Sequence, residues 1–303
     1  MMSEPVISVR GLAKRYGSTV AVADVSFDVE RGEIFGILGR NGAGKTTTVE
    51  CLQGLRRADG GRLRVLGLDP VTDGTRLRGR VGCQLQESAL PHRIKVWEAL
   101  RWFSSFGGDT SDWNQGIEAW GLVEKRNAHF SDLSGGQRQR LFVALALVSN
   151  PELVFLDEMT TGLDPIARRA AWDVIEAIRA RGTTVVLVTH FIDEAERLCD
   201  RVAILDAGRV VALETPATLI ARAGRVVIRF SHVGTDLSWL KQIPGVGDVS
   251  HREGVVEIAG ASTVLIDVAA GLAARGIRPE DLRVQQPTLE GVFLTITGNP
   301  LED

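Results

Sequence analysis

Apolar and polar positions follow two alternating patterns along most of the chain. Short, wholly or mainly apolar runs are typical of strands buried on both faces, and they predict strands at Glu33–Leu38, Leu153–Leu156 and Thr183–Thr189. Apolar residues at helical spacing predict intervening helices at Thr46–Leu55, Ser134–Ser149 and Ile166–Arg181. Strands that alternate with helices indicate an α/β domain with a mostly parallel sheet flanked by helices.

Several weaker patterns fill in the first two thirds of the chain. Dense β-branched residues predict paired strands at Val6–Arg10 and Val20–Val29, an antiparallel β subdomain. A further strand is expected at Arg80–Gln86, and the pattern turns helical from Val96 to about Val123, within a helical subdomain of about residues 87–150. A helix and a closing hairpin are expected last, at Ile192–Leu198, Val202–Leu205 and Arg209–Leu213.

Composition shifts near residues 221–224, and the elements beyond follow the order βαββαβ. That order is the ferredoxin-like arrangement. The predicted elements are strand Arg225–Phe230, helix Leu237–Gln242, strands Val246–His251 and Val255–Ile258, helix Ser262–Arg275, strand Asp281–Gln285 and a final helix Thr288–Thr297. We therefore expect a large α/β domain over residues 1–221 and a small α+β domain over residues 222–303.

Bulk composition narrows the class of protein. The chain has 303 residues, is 44% hydrophobic and carries a net charge of −3. A field of that sign and size does not favour nucleic acid, so no nucleic-acid partner is expected. The longest apolar runs fall short of the roughly 18 to 20 residues that cross a bilayer, and the start lacks a secretory signal. Three widely spaced cysteines are expected to be reduced thiols in the cytosol.

A glycine-rich loop between a predicted strand and helix matches the phosphate-loop pattern G-x-x-x-x-G-K-[ST]. Its residues are Gly39, Arg40, Asn41, Gly42, Ala43, Gly44, Lys45 and Thr46, with Thr47 following. The glycines let backbone N–H groups turn toward phosphates, and the helix adds the positive end of its dipole. Lys45 suits the β- and γ-phosphates and the Thr46 hydroxyl suits Mg²⁺. A nucleoside triphosphate with Mg²⁺ is the expected ligand.

Two more predicted strands have candidate catalytic side chains at their carboxyl ends, where ligands bind in such sheets. Asp157 and Glu158 follow the run Leu153–Leu156, so that Asp157 would serve Mg²⁺ and Glu158 would polarise an attacking water. His190 ends the next strand at the same edge, where it could donate a hydrogen bond to the γ-phosphate.

Ser134, Gly135, Gly136 and Gln137 begin another helix and form a second ready anion site. The chain already has such a site at Lys45, so the expected use of the second is the γ-phosphate held by another subunit. With these motifs in order over Val6–Leu213, the chain resembles the ATP-binding-cassette (ABC) ATPases, in which one chain's signature helix completes the ATP site of another. This resemblance implies a dimer, with a second copy of this chain as the expected partner.

The resemblance implies further site residues. Asp164, in Thr161–Asp164, resembles the D-loop that crosses the dimer interface, and Gln86 resembles the Q-loop residue that touches Mg²⁺ and the attacking water. Gln84 is the alternative, because an alternating strand could present either glutamine. Tyr16 resembles the aromatic residue that stacks on adenine, with packing in the core as the alternative. Met159 stands where the family usually has proline.

The tail Gln286–Leu294 is similar to the C-terminal end of daunorubicin-resistance-type ATPases, which serve ABC-2 exporters. Leu141–Val148 lacks the arginine that many importer ATPases carry there. The resemblance thus implies an ABC-2 type permease as partner, with efflux of a drug or lipid-like molecule, and a peripheral place on the cytoplasmic face of the membrane. A socket for the permease is a candidate role, and core packing the alternative, for Trp97, Trp102, Phe103 and Phe106.

Two other classes of protein share part of these motifs. Soluble ABC ATPases that act on DNA or ribosomes usually carry a coiled-coil insertion or two cassettes in one chain, and this sequence has neither. A phosphate-loop kinase would leave the Ser134–Gln137 motif and His190 without a use. Both fit less well than the exporter subunit.

Overall fold

A computed structural model describes residues 4–84, 90–106, 113–161, 163–223, 225–232, 236–252, 254–261 and 263–298, with only the backbone of Ala223. The described residues divide into two compact units, one up to Thr215 and the other from Pro216 to Gly298. Within the described residues, every helix is too short or too polar to cross a bilayer.

The first unit begins with strands and the first helix. In chain order its elements are β1 (Ile7–Tyr16), β2 (Thr19–Val29), β3 (Ile34–Gly39), α1 (Lys45–Leu52), β4 (Gly60–Val65), α2 (Gly74–Leu77), β5 (Val81–Gln84), α3 (Val96–Ser104) and α4 (Trp113–Ala119). Two short 3₁₀ segments, Val123–Lys125 and Phe130–Asp132, follow. The unit continues with α5 (Gly135–Leu147), β6 (Leu153–Asp157), α6 (Pro165–Ala180), β7 (Thr184–Thr189), α7 (Ile192–Leu198), β8 (Arg201–Asp206) and β9 (Arg209–Glu214).

One nine-stranded sheet organises this unit, in the order β4-β1-β2-β9-β8-β3-β7-β6-β5. The strands from β8 to β5 in that order are parallel, whereas β1 pairs antiparallel with β2 and β4. Every residue of β3, β6 and β7 is buried, as expected for strands covered on both faces. The predicted class, a mostly parallel sheet with an antiparallel β part and a helical part, is confirmed.

Several element boundaries differ from the expectations. Gly60 and Gly61, expected in a turn, begin β4, where a Cβ on Gly61 would lie 2.4 Å from the carbonyl oxygen of Gly11. The first helix ends at Leu52 rather than Leu55, because the chain turns at Gly54 with φ of +73°. In the region expected to be helical from Val96 to about Val123, the described residues form α3 and α4, and residues 107–112 lie outside the described part.

The second unit contains α8 (Pro216–Ala223), β10 (Val226–Ser231), β11 (Val246–Arg252), β12 (Val255–Gly260), α9 (Val264–Ala274), β13 (Arg283–Gln285) and α10 (Leu289–Thr297). Its four strands form an antiparallel sheet in the order β11-β12-β10-β13, the strand order of a ferredoxin-like fold. The sequence analysis missed α8, and the helix expected at Leu237–Gln242 is a 3₁₀ segment, Ser238–Gln242, soon followed by Pro244.

One face of this small sheet carries its own core. The inward residues alternate along β10 and β12, as a sheet with one buried face requires, and they pack with α9 and the 3₁₀ segment. The core residues include Val226, Ile228, Phe230, Val256, Ile258, Val264, Val268 and Leu272. The unit therefore has the independent apolar centre expected of a domain.

Candidate functional site

The register of the central strands brings the candidate residues to one edge of the sheet. Leu38 of β3 pairs with Thr189 of β7, and Val188 of β7 pairs with Asp157 of β6. Because these strands are parallel, their carboxyl ends meet at the same edge. The phosphate loop, the carboxylates after β6 and His190 after β7 are therefore neighbours.

The phosphate loop is shaped by two glycines and closed by its lysine. Gly42 and Gly44 have φ of +81° and +98°, which glycine adopts readily. A Cβ on Gly44 would lie 2.5 Å from the carbonyl oxygen of Ala21, so this position has no room for a side chain. Lys45 Nζ donates to the carbonyl oxygens of Gly39 at 2.7 Å and Arg40 at 3.1 Å. The lysine thus holds the loop around the start of α1.

The buried charges at this edge act on one another. Burial lowers the pKa of Lys45, and the carboxylates of Glu158 and Asp157 oppose that change. Asp157 is 3% exposed, and burial raises its pKa to about 6, with a further rise from Glu158 and an opposing effect of Lys45. Lys45, Asp157 and Glu158 therefore form one electrostatic cluster.

A buried oxygen in this cluster fits a cation. Asp157 Oδ1 is buried and makes no hydrogen bond to any residue that the structure describes. Leaving a carboxylate oxygen in that state is costly, and oxygen is the ligand that Mg²⁺ prefers. The Thr46 hydroxyl, in the first turn of α1, is exposed beside the same loop.

Glu158 has a strained backbone. Its φ is +48°, a left-handed conformation that costs a residue with a side chain roughly 1 to 2 kcal/mol. Its N–H donates to the carbonyl oxygen of Val188 at 2.9 Å, and its Oε1 lies 3.4 Å from His190 Nδ1. Strain of this kind concentrates at functional sites. The side chains of Glu158 and His190 are 9% and 16% exposed, so both are nearly buried.

The Ser134–Gln137 motif forms a capping box at the start of α5. Ser134 Oγ accepts from the Gln137 N–H at 3.4 Å, and the Ser134 N–H donates to Gln137 Oε1 at 3.0 Å. The helix packs on β5, α3 and α4, and β5 lies three strands from β3. At about 4.8 Å per strand, that is about 14 Å across the sheet. The structure does not bring this motif to the phosphate loop of its own chain.

The remaining candidates occupy separate places. Asp164 is the N-cap of α6, where its Oδ1 accepts from the N–H groups of Ile166 and Ala167 at 2.9 and 2.8 Å. Tyr16 is 42% exposed, so its ring lies outside the core. Gln84 is 5% exposed at the end of β5. Gln86 lies outside the described residues, so the choice between the two glutamines stays open.

Comparisons with known proteins decide the family. A family model described as "ABC transporter" matches residues 22–161. The daunorubicin resistance ATP-binding protein DrrA3 of Streptomyces coeruleorubidus is 35% identical over 308 residues, 98% of each chain. The Nod factor export ATP-binding protein I of Burkholderia orbicola is 37% identical over 317 residues, 100% of each chain. This chain belongs to the ABC transporter ATPases.

Solved structures agree with this assignment. An ATP-binding subunit of an ABC transporter is 28% identical, with a TM-score of 0.65, and covers 71% of this chain and 91% of its own. The protein cbiO1 from Clostridium perfringens, part of the transporter complex cbiONQ, is 25% identical with a TM-score of 0.64, covering 73% of this chain and 92% of its own. The likeness covers about the length of the first unit.

Met159, where ABC ATPases usually have proline, is a buried packing residue. It is 2% exposed, and its carbonyl oxygen accepts from Gln139 Nε2 of α5 at 2.7 Å. The helix that carries the signature motif is thereby tied to the residue directly after Glu158. The sequence analysis missed Gln139, because it stands between Arg138 and Arg140 and no local pattern singles it out.

We predict that Asp157→Asn stabilises the metal-free protein. A pKa raised from 3.8 to about 6 means that the folded state binds the proton more tightly than the unfolded state, so wild-type stability falls as pH rises from about 4 to about 6. At about 1.4 kcal/mol per unit, Asp157→Asn should raise the free energy of unfolding at pH 7 by up to about 3 kcal/mol. Urea unfolding with a chelator, at pH 4 and pH 7, measures this.

Two results would contradict this expectation. A stability difference that is the same at both values of pH would mean that the Asp157 charge is not the cause. Added Mg²⁺ should stabilise the wild type more than Asp157→Asn, because a ligand stabilises only the state that binds it. Equal stabilisation of the wild type and Asp157→Asn would mean that Asp157 does not bind the cation.

Proposed function

We propose that two copies of this chain close around ATP, each completing the other's site, and so drive an ABC-2 type permease in export. As an ABC ATPase, the chain hydrolyses ATP. The dimer is supported chiefly by the two signature glycines, and the direction of transport by relatives named for daunorubicin resistance and Nod factor export. A drug or lipid-like molecule is the proposed cargo, selected by the permease.

In the proposed site, the phosphate loop and Lys45 hold the β- and γ-phosphates, and the exposed ring of Tyr16 stacks on adenine. Glu158 accepts the proton of a water whose oxygen attacks the γ-phosphorus as the bond to ADP breaks. His190, 3.4 Å from the Glu158 carboxylate, donates a hydrogen bond to the γ-phosphate and keeps the water in line. Both side chains are nearly buried, which strengthens these polar interactions.

Thr46 and Asp157 are the proposed magnesium ligands, with Gln86 as a third outside the described residues. The orphaned Asp157 Oδ1 supports this assignment, because a cation would compensate the cost of its burial. The ion supplies charge neutralisation at the β- and γ-phosphate oxygens.

The described residues give no reason for glycine at the two signature positions. A Cβ on Gly135 or Gly136 would meet no atom of those residues within 4 Å, and neither glycine has a positive φ. Glycine in a helix costs roughly 0.5 to 1 kcal/mol relative to alanine. In contrast, a Cβ on Gly39 or Gly44 would lie 2.5 Å from a backbone carbonyl oxygen, that of Leu205 or Ala21 respectively, so glycine is required at both positions. The open space over the signature helix supports close approach by the ATP of a second copy.

An exposed aromatic cluster at the C-terminal end of α3 supports docking of the permease. Trp102 and Phe106 are 52% and 46% exposed, and their rings lie 6.5 Å apart with Phe103 contacting both. Aromatic residues are enriched in protein interfaces and dominate their energetics. We propose that this cluster contacts a cytoplasmic helix of the permease, which sets the chain at the cytoplasmic face of the membrane.

Glu158→Gln should bind ATP normally and lose turnover by about 10² to 10⁴-fold, because the isosteric amide cannot accept the proton. The unhydrolysed ATP should trap a dimer that size-exclusion chromatography with light scattering detects. Wild-type protein without nucleotide is the control. A monomeric Glu158→Gln protein with full activity would refute both the catalytic role and the dimer.

Gly135→Ala should disturb the proposed dimer interface and leave the fold intact. The added Cβ would meet no atom of the described residues within 4 Å, so thermal stability should not fall. Hydrolysis should drop about tenfold or more, because the partner's phosphate is held off. Gly116→Ala in α4 is the matched control, since its Cβ would make only an ordinary contact at 3.7 Å. Unchanged hydrolysis in Gly135→Ala would remove the main support for a shared site.

Trp102→Ala should weaken copurification with the membrane permease while leaving ATP affinity unchanged. An aromatic anchor in an interface contributes about 2 kcal/mol or more, a loss of about 30-fold in affinity. Leu55→Ala, at a residue 58% exposed elsewhere on the first unit, is the control. Recovery with ribosomes or DNA and no multi-span protein would favour the soluble ABC ATPase instead.

A further inference from the structure

A glutamate without a part in the proposed chemistry is buried beneath the site. Glu194, in α7, is 0% exposed. It lies four residues before the buried Leu198, hence on the same helical face. A carboxylate removed from water is costly unless donors compensate it, so packing alone does not account for an acid at this position.

Glu194 contacts three elements at once. Trp172 Nε1 of α6 donates to Glu194 Oε1 at 3.1 Å. Burial raises the pKa of Glu194, and the nearby hydroxyls of Thr189 and Thr160, together with the indole, act in the opposite direction. Both threonines are 0% exposed. The carboxylate is therefore the meeting point of α6, the end of β7 and the segment after β6.

The two threonines flank the proposed catalytic pair. Thr189 directly precedes His190, and Thr160 follows Glu158 by two residues. Glu194 Oε2 and Thr160 Oγ1 are both buried, and neither makes a hydrogen bond of full geometry within the described part of the chain. A small displacement of the segment after Glu158 would complete a hydrogen bond from Thr160 Oγ1 to Glu194 Oε2, because the two groups already lie close together.

We propose that Glu194 is a positioning residue for ATP hydrolysis, which sets the separation between the Glu158 carboxylate and the His190 imidazole through Thr160 and Thr189. The inference rests on the hydrolytic roles proposed above for those two residues. Glu194 belongs to α7, whereas the phosphates are held by the loop between β3 and α1. Its loss should therefore lower turnover and leave ATP affinity nearly unchanged, the sign of an effect on the transition state.

The test compares Glu194→Gln with a second buried glutamate. Glu33 is 9% exposed and stands just before β3, at the opposite edge of the sheet, where it pairs with Arg201 at 3.2 Å. Glu33→Gln also removes a buried charge but should keep kcat. We expect Glu194→Gln to lower kcat by about 10 to 100-fold, the effect of misplacing a catalytic group by about 1 Å. The Kd for ATP should change less than about threefold.

Thr160→Val extends the test to a change of nearly equal volume. This variant removes the hydroxyl and should by itself lower kcat, even if Glu194→Gln does not fold. In the double variant the losses should not multiply, because both changes break the same contact. Folded variants with wild-type kcat, an equal loss of kcat in Glu33→Gln, or fully multiplicative losses would overturn the proposal.

Glu158→Gln, measured in parallel on the full chain, separates this inference from the proposed function. If Glu158→Gln is inactive and Glu194→Gln is fully active, only the positioning role fails. If Glu158→Gln still turns over ATP, the catalytic assignment fails and the role of Glu194 fails with it.

Discussion

Burial of three adjacent parallel strands on both faces is the constraint on which the first unit depends. Every residue of β3, β6 and β7 is buried, so polar groups can appear only where these strands end. Their pairing register fixes those ends at one edge, where the phosphate loop and the proposed hydrolytic residues lie. The free energy gained from apolar burial thus also places Lys45, Asp157, Glu158 and His190 relative to one another.

Energetically unfavourable local states occur at the same edge of the sheet. Asp157 has a raised pKa, Glu158 has a left-handed backbone, and Glu194, four residues after His190, has an incompletely bonded carboxylate. Each would be removed in a protein selected for stability alone. Their concentration at one edge indicates a site where a bound nucleotide and cation would compensate these unfavourable states.

Prediction from sequence succeeded where a pattern had one physical meaning. Wholly apolar runs gave the central strands, and the spacing of glycine and lysine gave the phosphate loop. It failed where tertiary contacts decide, as at Gly61, whose glycine is explained by the backbone of β1 and not by a turn. The contacts of Glu194 and Gln139 join residues far apart in the chain, so no local pattern could supply them. The open space above Gly135 is likewise visible only in three dimensions.

The cap at the start of α5 has a consequence for how assembly would proceed. Ser134 Oγ accepts the Gln137 N–H at 3.4 Å and so uses a lone pair, while its own proton stays available to an acceptor. One hydroxyl can thus serve its helix and, in the proposed dimer, a phosphate oxygen of the other copy at the same time. The side chain would then be held in its binding rotamer before the partner arrives, and little conformational entropy would be lost on closure.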